Sequence, residues 1–258
     1  LAAVQNPRRS RRRGLAGGIL MRYQGGKSRI SRPIVETIRR MHPTATEIWE
    51  PFCGGGAVTL ALSKVNFKVH ASDIHPDLIL MWQAVMAGDE SVYANVTREE
   101  HSELKHATPS ARRGFVRFGA SFGGDFYGGF GVDRKNGDGH QPWQEAQRFC
   151  EKVKRAACLS FSCMDYKDVP SSALCYADPP YQNTYKYQGN AFDHTSFWQW
   201  VRERKGPTFV SELVGPDDMQ IVWRKAHKSQ MTSNSPTSRA TSGIVHREER
   251  LYYCAGRQ

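Results

Sequence analysis

The stretch YADPPYQNTYKY (176–187) places Asp178 directly after an apolar run, 173–177, and follows it with Pro179, Pro180 and Tyr181. An acid at the exit of a buried parallel strand stands on the face where open α/β sheets bind ligands. The two prolines lack N–H groups and have fixed φ, so their carbonyls stay free to point into a cleft. A carboxylate beside a prolyl carbonyl makes two acceptors, suited to an amine that carries two hydrogens. Tyr181 adds a flat surface on which an aromatic ring can stack. The set suits the exocyclic amino group of a nucleobase. A plain surface turn would explain the prolines but not Tyr181. Tyr185 and Tyr187 either line the mouth of such a pocket or pack a loop.

A second cluster, EPFCGGGA, begins at Glu50 and carries Pro51, Phe52, Cys53, Gly54, Gly55 and Gly56. It lies between an expected strand and an expected helix, where bare backbone and a helix N-terminus admit a ligand closely. Asp73 follows Gly54 by 19 residues and is followed by Ile74. An acid in that position can hold ribose hydroxyls. A dinucleotide loop would need a third glycine where Thr59 stands, so an adenosine-containing ligand without a pyrophosphate fits better. The alternative is a glycine-rich turn without a ligand. YQGGKSR (23–29) resembles a phosphate loop only superficially, because Met21 occupies the required glycine position and no strand precedes it.

The elements that must position these groups follow from apolar periodicity. Helical spacing runs over 27–41, a strand over 46–52, a helix over 57–63, a strand over 66–74 and a helix over 76–88. This β-α-β-α order predicts a mainly parallel sheet with right-handed crossovers. Residues 89–150 break the pattern with a capping box at Thr97 and Glu100 and a glycine- and aromatic-rich run, 117–131, and read as an insertion. Alternation resumes with a helix over 144–157 and strands over 173–178, 207–213 and 247–254; the polar run 227–243 reads as a mobile loop.

Composition sets the outer bounds. The 258 residues carry a net charge of +11, which favours a polyanionic partner, nucleic acid first. Residues 1–20 hold five arginines and no acid, leaving +6 for the rest; they read as a disordered basic leader or a non-native remnant, with a backbone-binding arm as the other reading. No apolar run is long enough to span a bilayer. Six cysteines without a C-x-x-C pair exclude common zinc spacings and fit reduced thiols in a cytoplasmic setting.

The ordered set YQGGKSR, EPFCGGG, SDI and DPPY resembles the N6-adenine DNA methyltransferases that use S-adenosylmethionine, more narrowly the group of the DNA adenine methylases of enterobacteria and phages. The resemblance covers residues 22 to about 254. It implies a Rossmann-like α/β methyltransferase fold, with a mixed, mainly parallel sheet and a mostly helical target-recognition insertion. The catalytic domain would comprise 21–88 and 151–258 and the insertion 89–150. Asp178, Pro179, Pro180 and Tyr181 match the catalytic tetrad. Pro51, Phe52, Cys53, Gly54, Gly56, Asp73 and Ile74 match the cofactor loop and its ribose acid. Tyr23, Gly25, Gly26 and Lys27 match the motif that closes over the methionine moiety. Asp165 and Tyr166, in SCMDY, match the element that reads the cofactor's adenine.

Double-stranded DNA is the implied partner, with no metal and no membrane, for a monomer or a dimer. Arg112, Arg113, Arg117, Arg134 and Lys135 are the candidate phosphate contacts, a solvated basic face being the alternative for each. The asparagine-containing element of G-A-T-C readers is replaced by the asparagine-free RFGASFGGDFYGGFG, nearer to some phage homologues. Competing readings are transfer to cytosine N4, to adenine in RNA or to a protein glutamine, and a DNA-binding module without turnover.

Overall fold

The computed structural model describes residues 21, 23, 25–121, 129–131, 142–182, 192–230 and 244–257. Seven strands form one sheet in the order β3-β2-β1-β4-β5-β7-β6. They are β1 (Glu47–Glu50), β2 (Lys68–Asp73), β3 (Leu159–Cys163), β4 (Cys175–Ala177), β5 (Thr208–Glu212), β6 (Gln220–Gln230) and β7 (Ile244–Cys254). The first five neighbours pair in parallel, and β7 runs antiparallel between β5 and β6. This is the expected Rossmann-like arrangement, mixed and mostly parallel. The chain lays β2 and β3 on one side of β1 and returns to lay β4 on the other. That reversal opens a crevice above the C-terminal ends of β1 and β4.

Period-two alternation sorts the strand residues between two helical layers. On β5 and β7, Phe209 and its register partner Tyr253 face the end of α1 (Ser31–Met41), where His42 packs edge-on against Phe209 at 5.6 Å. Val210 and its partner Tyr252 face the opposite layer, whose helix α7 (His194–Glu203) brings Trp198 to 5.8 Å from Tyr252. α1 buries Ile34, Val35 and Ile38 and leaves Arg32 and Arg40 exposed. Each fully buried aliphatic side chain contributes about 1.5–3 kcal/mol.

α3 (Pro76–Met86) is apolar nearly all round because it is covered on several sides. Trp82 stacks on Phe161 of β3 at 5.7 Å and meets Phe149 of α6 (Pro142–Lys154) at 6.0 Å. The helix α5 (Ala111–Gly119) crosses α3 so closely that a Cβ on Gly114 would lie 2.2 Å from the Asp77 carbonyl oxygen. The remaining helices are α2 (Ala57–Ser63) and α4 (Arg98–Glu103); the Thr97 side chain caps α4 by accepting from the Glu100 N–H, as its spacing predicts.

Three elements depart from the pattern read along the sequence. β3 alternates apolar residues with serines but is five residues long and buries only Phe161, so this short edge strand gives little signal. α7 has its apolar residues bunched as Phe197, Trp198 and Val201 and begins after an Asp193 cap that accepts from the Ser196 N–H. β6 runs to Gln230 and β7 begins at Ile244, so part of the expected 227–243 loop is a strand held by backbone pairing; 231–243 lie outside the described residues.

The helical insertion is fastened by one buried acid. Asp77 is 1% exposed, accepts from the Ser110 N–H at 2.8 Å, and pairs with Arg113 at 2.6 Å and Arg117 at 2.8 Å. Breaking such a pair from one side leaves buried charge uncompensated. Asp77→Ala is therefore expected to lower unfolding stability by about 3–5 kcal/mol, read as a drop in urea midpoint.

Candidate active site

Both motif loops meet at the crevice between β1 and β4. After β1 the chain turns through Pro51 and Phe52, and the Cys53 N–H donates to the Ser72 carbonyl at 2.9 Å. Gly54 and Gly56 take φ of +45° and +71°, conformations that side chains disfavour. The loop is then clamped by Asp73, whose two oxygens accept from the N–H groups of Gly54 and His75, each at 3.1 Å. Burial pushes the Asp73 carboxyl up to about 6, although both backbone bonds oppose the rise. Trp82 completes the clamp by donating to the Gly54 carbonyl at 3.0 Å.

Tyr23 lies across this loop. A Cβ on Gly54 or on Gly55 would come within 2.7 Å of Tyr23 atoms, so the glycines admit its ring. The ring meets Phe118 of α5 at 5.3 Å, which joins the N-terminal motif to the insertion. The Gly26 N–H donates to the Tyr23 carbonyl at 2.9 Å, and Gly25 has φ of +79° with open space beside it. On the other side of Asp73, the Met164 N–H donates to the Asp73 carbonyl, which brings Asp165 to the same end of the sheet. Asp165 accepts from the Lys167 N–H at 2.9 Å. Ile74 is 70% exposed beside these acids, an apolar surface open to a ring.

Tyr166 and Phe52 are placed differently from a pair of ligand contacts. Tyr166 is buried and stacks with Phe52 at 5.5 Å, inside a cluster with Phe192, Phe197 and Trp200. Tyr166 thus braces the loop from behind, while Phe52 stays half-buried. Pro51 and Cys53 are buried, and desolvation raises the Cys53 thiol well above its ordinary value.

Across the crevice, β4 delivers Asp178. Its side chain is 18% exposed, and the Lys27 ammonium stands 2.8 Å from Oδ1. The two form a largely buried ion pair. Burial raises the Asp178 carboxyl to about 6; Lys27 pulls against this rise and Glu249 adds to it. Pro179 is buried and Pro180 half-buried. Tyr181 donates its hydroxyl to Glu249, and the Lys27 ammonium sits over its ring at 4.3 Å from the centroid. Lys27, expected beside the cofactor's methionine end, thus stands against Asp178 and Tyr181.

Several acids of the site carried no motif. Glu249 on β7 is 3.8 Å from the Lys27 ammonium. Glu212 on β5 is 1% exposed, accepts from the Leu213 and Gln182 N–H groups, and is raised to about 7 by burial. Glu50 on β1 is 2% exposed and raised well above its ordinary value, chiefly by burial. The signal available in sequence was an acid inside an otherwise apolar strand, as in TFVSE. A lone acid of that kind more often serves a structural ion pair.

The candidate phosphate contacts are corrected. Arg112 is spent on Glu100, at 2.6 Å, and on the carbonyls of Val92, Ala94 and Asn95. Arg113 and Arg117 serve Asp77, and Arg117 is only 2% exposed. A buried carboxylate and a set of unpaired carbonyls claimed these guanidiniums, so none of the three is a bare surface cation. Arg134 and Lys135 lie outside the described residues, as do Tyr185, Tyr187 and the 1–20 leader. Among the described residues no group of three or more His, Cys, Asp or Glu could hold a metal ion, and no helix is long and apolar enough to cross a membrane.

Comparison with known proteins gives this geometry a class. Residues 23–150 match the family described as D12 class N6 adenine-specific DNA methyltransferase. The chain is 27% identical over 260 residues to the DNA adenine methylase of two Vibrio cholerae O1 strains, Classical Ogawa 395 and El Tor Inaba N16961. Each alignment covers 86% of this chain and 91% of the relative. These likenesses support an adenine-specific DNA methyltransferase, a transferase that methylates adenine N6 in DNA. The matched family implies dependence on S-adenosylmethionine in general.

The buried acids give the site an unusual pH signature. Glu212 has a folded value near 7 against an ordinary 4.5. The folded state therefore holds a proton that the unfolded state releases between about pH 4.5 and 7. Its contribution is favourable below that window and is lost as pH rises through it. Glu212→Gln, which cannot ionise, should gain more in melting temperature relative to wild type at pH 8 than at pH 5.

Proposed function

We propose that the crevice between β1 and β4 is where this enzyme methylates adenine N6, with Asp178 and the Pro179 carbonyl as the acceptors for the amine's hydrogens. The observation that carries this reading is the Asp178 carboxyl, mostly buried at the exit of β4 beside the switch point of the sheet, with a cation 2.8 Å from Oδ1 and the Tyr181 ring beside it.

S-adenosylmethionine, when bound, supplies a methyl group on a positively charged sulfur. The residues present fit it. Asp73 and the Gly54–Gly56 loop offer an acid and close backbone approach for the ribose, Ile74 an apolar face, and Asp165 an acceptor for the adenine amine. Tyr23 and Gly25 flank the loop on the other side.

Asp178 and the Pro179 carbonyl accept the two N–H hydrogens of the substrate amine. This pulls the nitrogen toward tetrahedral geometry and localises a lone pair otherwise delocalised into the ring. Hydrogen bonds to a charged acceptor are worth about 1.5–3 kcal/mol each, and more against developing positive charge. When the nitrogen takes the methyl group it gives up one proton, and the Asp178 carboxylate is positioned to receive it. The base must leave the duplex to reach this depth, at a cost of a few kcal/mol. Stacking on Tyr181 returns about 1–3 kcal/mol.

Asp178→Ala tests the assignment. Transfer of tritiated methyl to unmethylated DNA is expected to be lost, while S-adenosylmethionine binding measured by calorimetry is retained. Turnover equal to wild type would remove Asp178 from the mechanism.

A further inference from the structure

The Lys27 ammonium uses the same two features that the substrate amine requires. It stands 2.8 Å from Asp178 Oδ1 and 4.3 Å from the centroid of the Tyr181 ring. It also donates to the Gly25 carbonyl at 3.0 Å and is only 6% exposed, so it is held in place. A base amine cannot take that acceptor while the ammonium occupies it. A displaced ammonium in so enclosed a site needs another anion at hand, because an unpaired buried charge costs several kcal/mol.

Three further acids line the surroundings. Glu212 already accepts two backbone N–H groups, and burial pushes both it and Glu50 toward the neutral acid. Glu249 stands nearest the ammonium after Asp178. It lies 3.8 Å from the ammonium, is 5% exposed, and is fixed in orientation by the Tyr181 hydroxyl. A shift of about 1 Å would bring it to the contact distance of a charge-assisted hydrogen bond.

We propose that Lys27 is a stand-in for the substrate amine and that Glu249 is the positioning residue that receives its ammonium when the base enters. Tyr181 links the two events, since the residue that stacks the base also orients Glu249. The inference rests on the methyltransferase reading of the same site and adds to it a residue on β7 outside the D-P-P-Y motif.

The test is a double-mutant cycle on Lys27→Met and Glu249→Gln. Turnover is read as tritium transferred from saturating S-adenosylmethionine to unmethylated genomic DNA. Glutamine keeps an acceptor for the Tyr181 hydroxyl and removes only the charge. In the wild-type background Glu249→Gln should lower kcat by ~10-fold, within the usual coupling of groups in contact. In the Lys27→Met background the same change should alter kcat by less than about 2-fold, because no ammonium remains to be received. Lys27→Gln repeats the cycle should the methionine variant not fold, as judged by thermal melting. Equal losses in both backgrounds would make Glu249 a merely structural residue and overturn the proposal. Absence of transfer by the wild type would instead overturn the methyltransferase reading, and the proposal with it.

Discussion

One ammonium among several buried carboxylates is the constraint around which the catalytic end of the sheet is arranged. Lys27 arrives from the turn before α1, Asp178 from β4 and Glu249 from β7, and all three meet behind the Tyr181 ring. Glu50 and Glu212 both stand close enough to Asp178 for its charge to raise their affinity for protons. Ordinary proteins avoid such density of acid in a low-dielectric place. Here the strands of a parallel sheet end together, so their exits deliver acids to one crevice whether or not stability benefits.

The rest of the structure reads as support for that crevice. The glycine loop after β1 is held by Asp73, Trp82 and the Tyr23 ring, which share it from three sides. Phe52 is braced by Tyr166, and Tyr23 by Phe118 of the insertion. The insertion is in turn bolted to α3 through Asp77, four residues beyond the acid that clamps the loop. The glycine loop and the helical insertion therefore share one joint along 73–77. This continuity offers a physical reason why arginines that look like phosphate contacts in sequence are internal.

Much of this was legible in the sequence where local chemistry and global fold agree. The glycine cluster between a strand and a helix, the acid at the end of β2 and the D-P-P-Y exit all have short-range signatures, and they lie where those signatures place them. β3 and β6 were not legible, because each is an edge strand whose pairing comes from backbone rather than from apolar side chains. Glu212 and Glu249 were hidden for a related reason. Their meaning depends on which strand neighbours which, and the order β5-β7-β6 is a property of the assembled sheet. Arg112, Arg113 and Arg117 show the converse, since a basic cluster declares its charge but not the buried acid that will claim it.

The account stands or falls on the ionisation of Asp178. An acid raised to about 6 by burial accepts the amine's hydrogens only when it has lost its own proton. The direct measurement is the rate of a single round of methyl transfer between pH 5 and 8, with enzyme and cofactor in excess over DNA. The rate should climb with pH through an apparent value near 6 and then level off. A rate unchanged across that range would contradict the account.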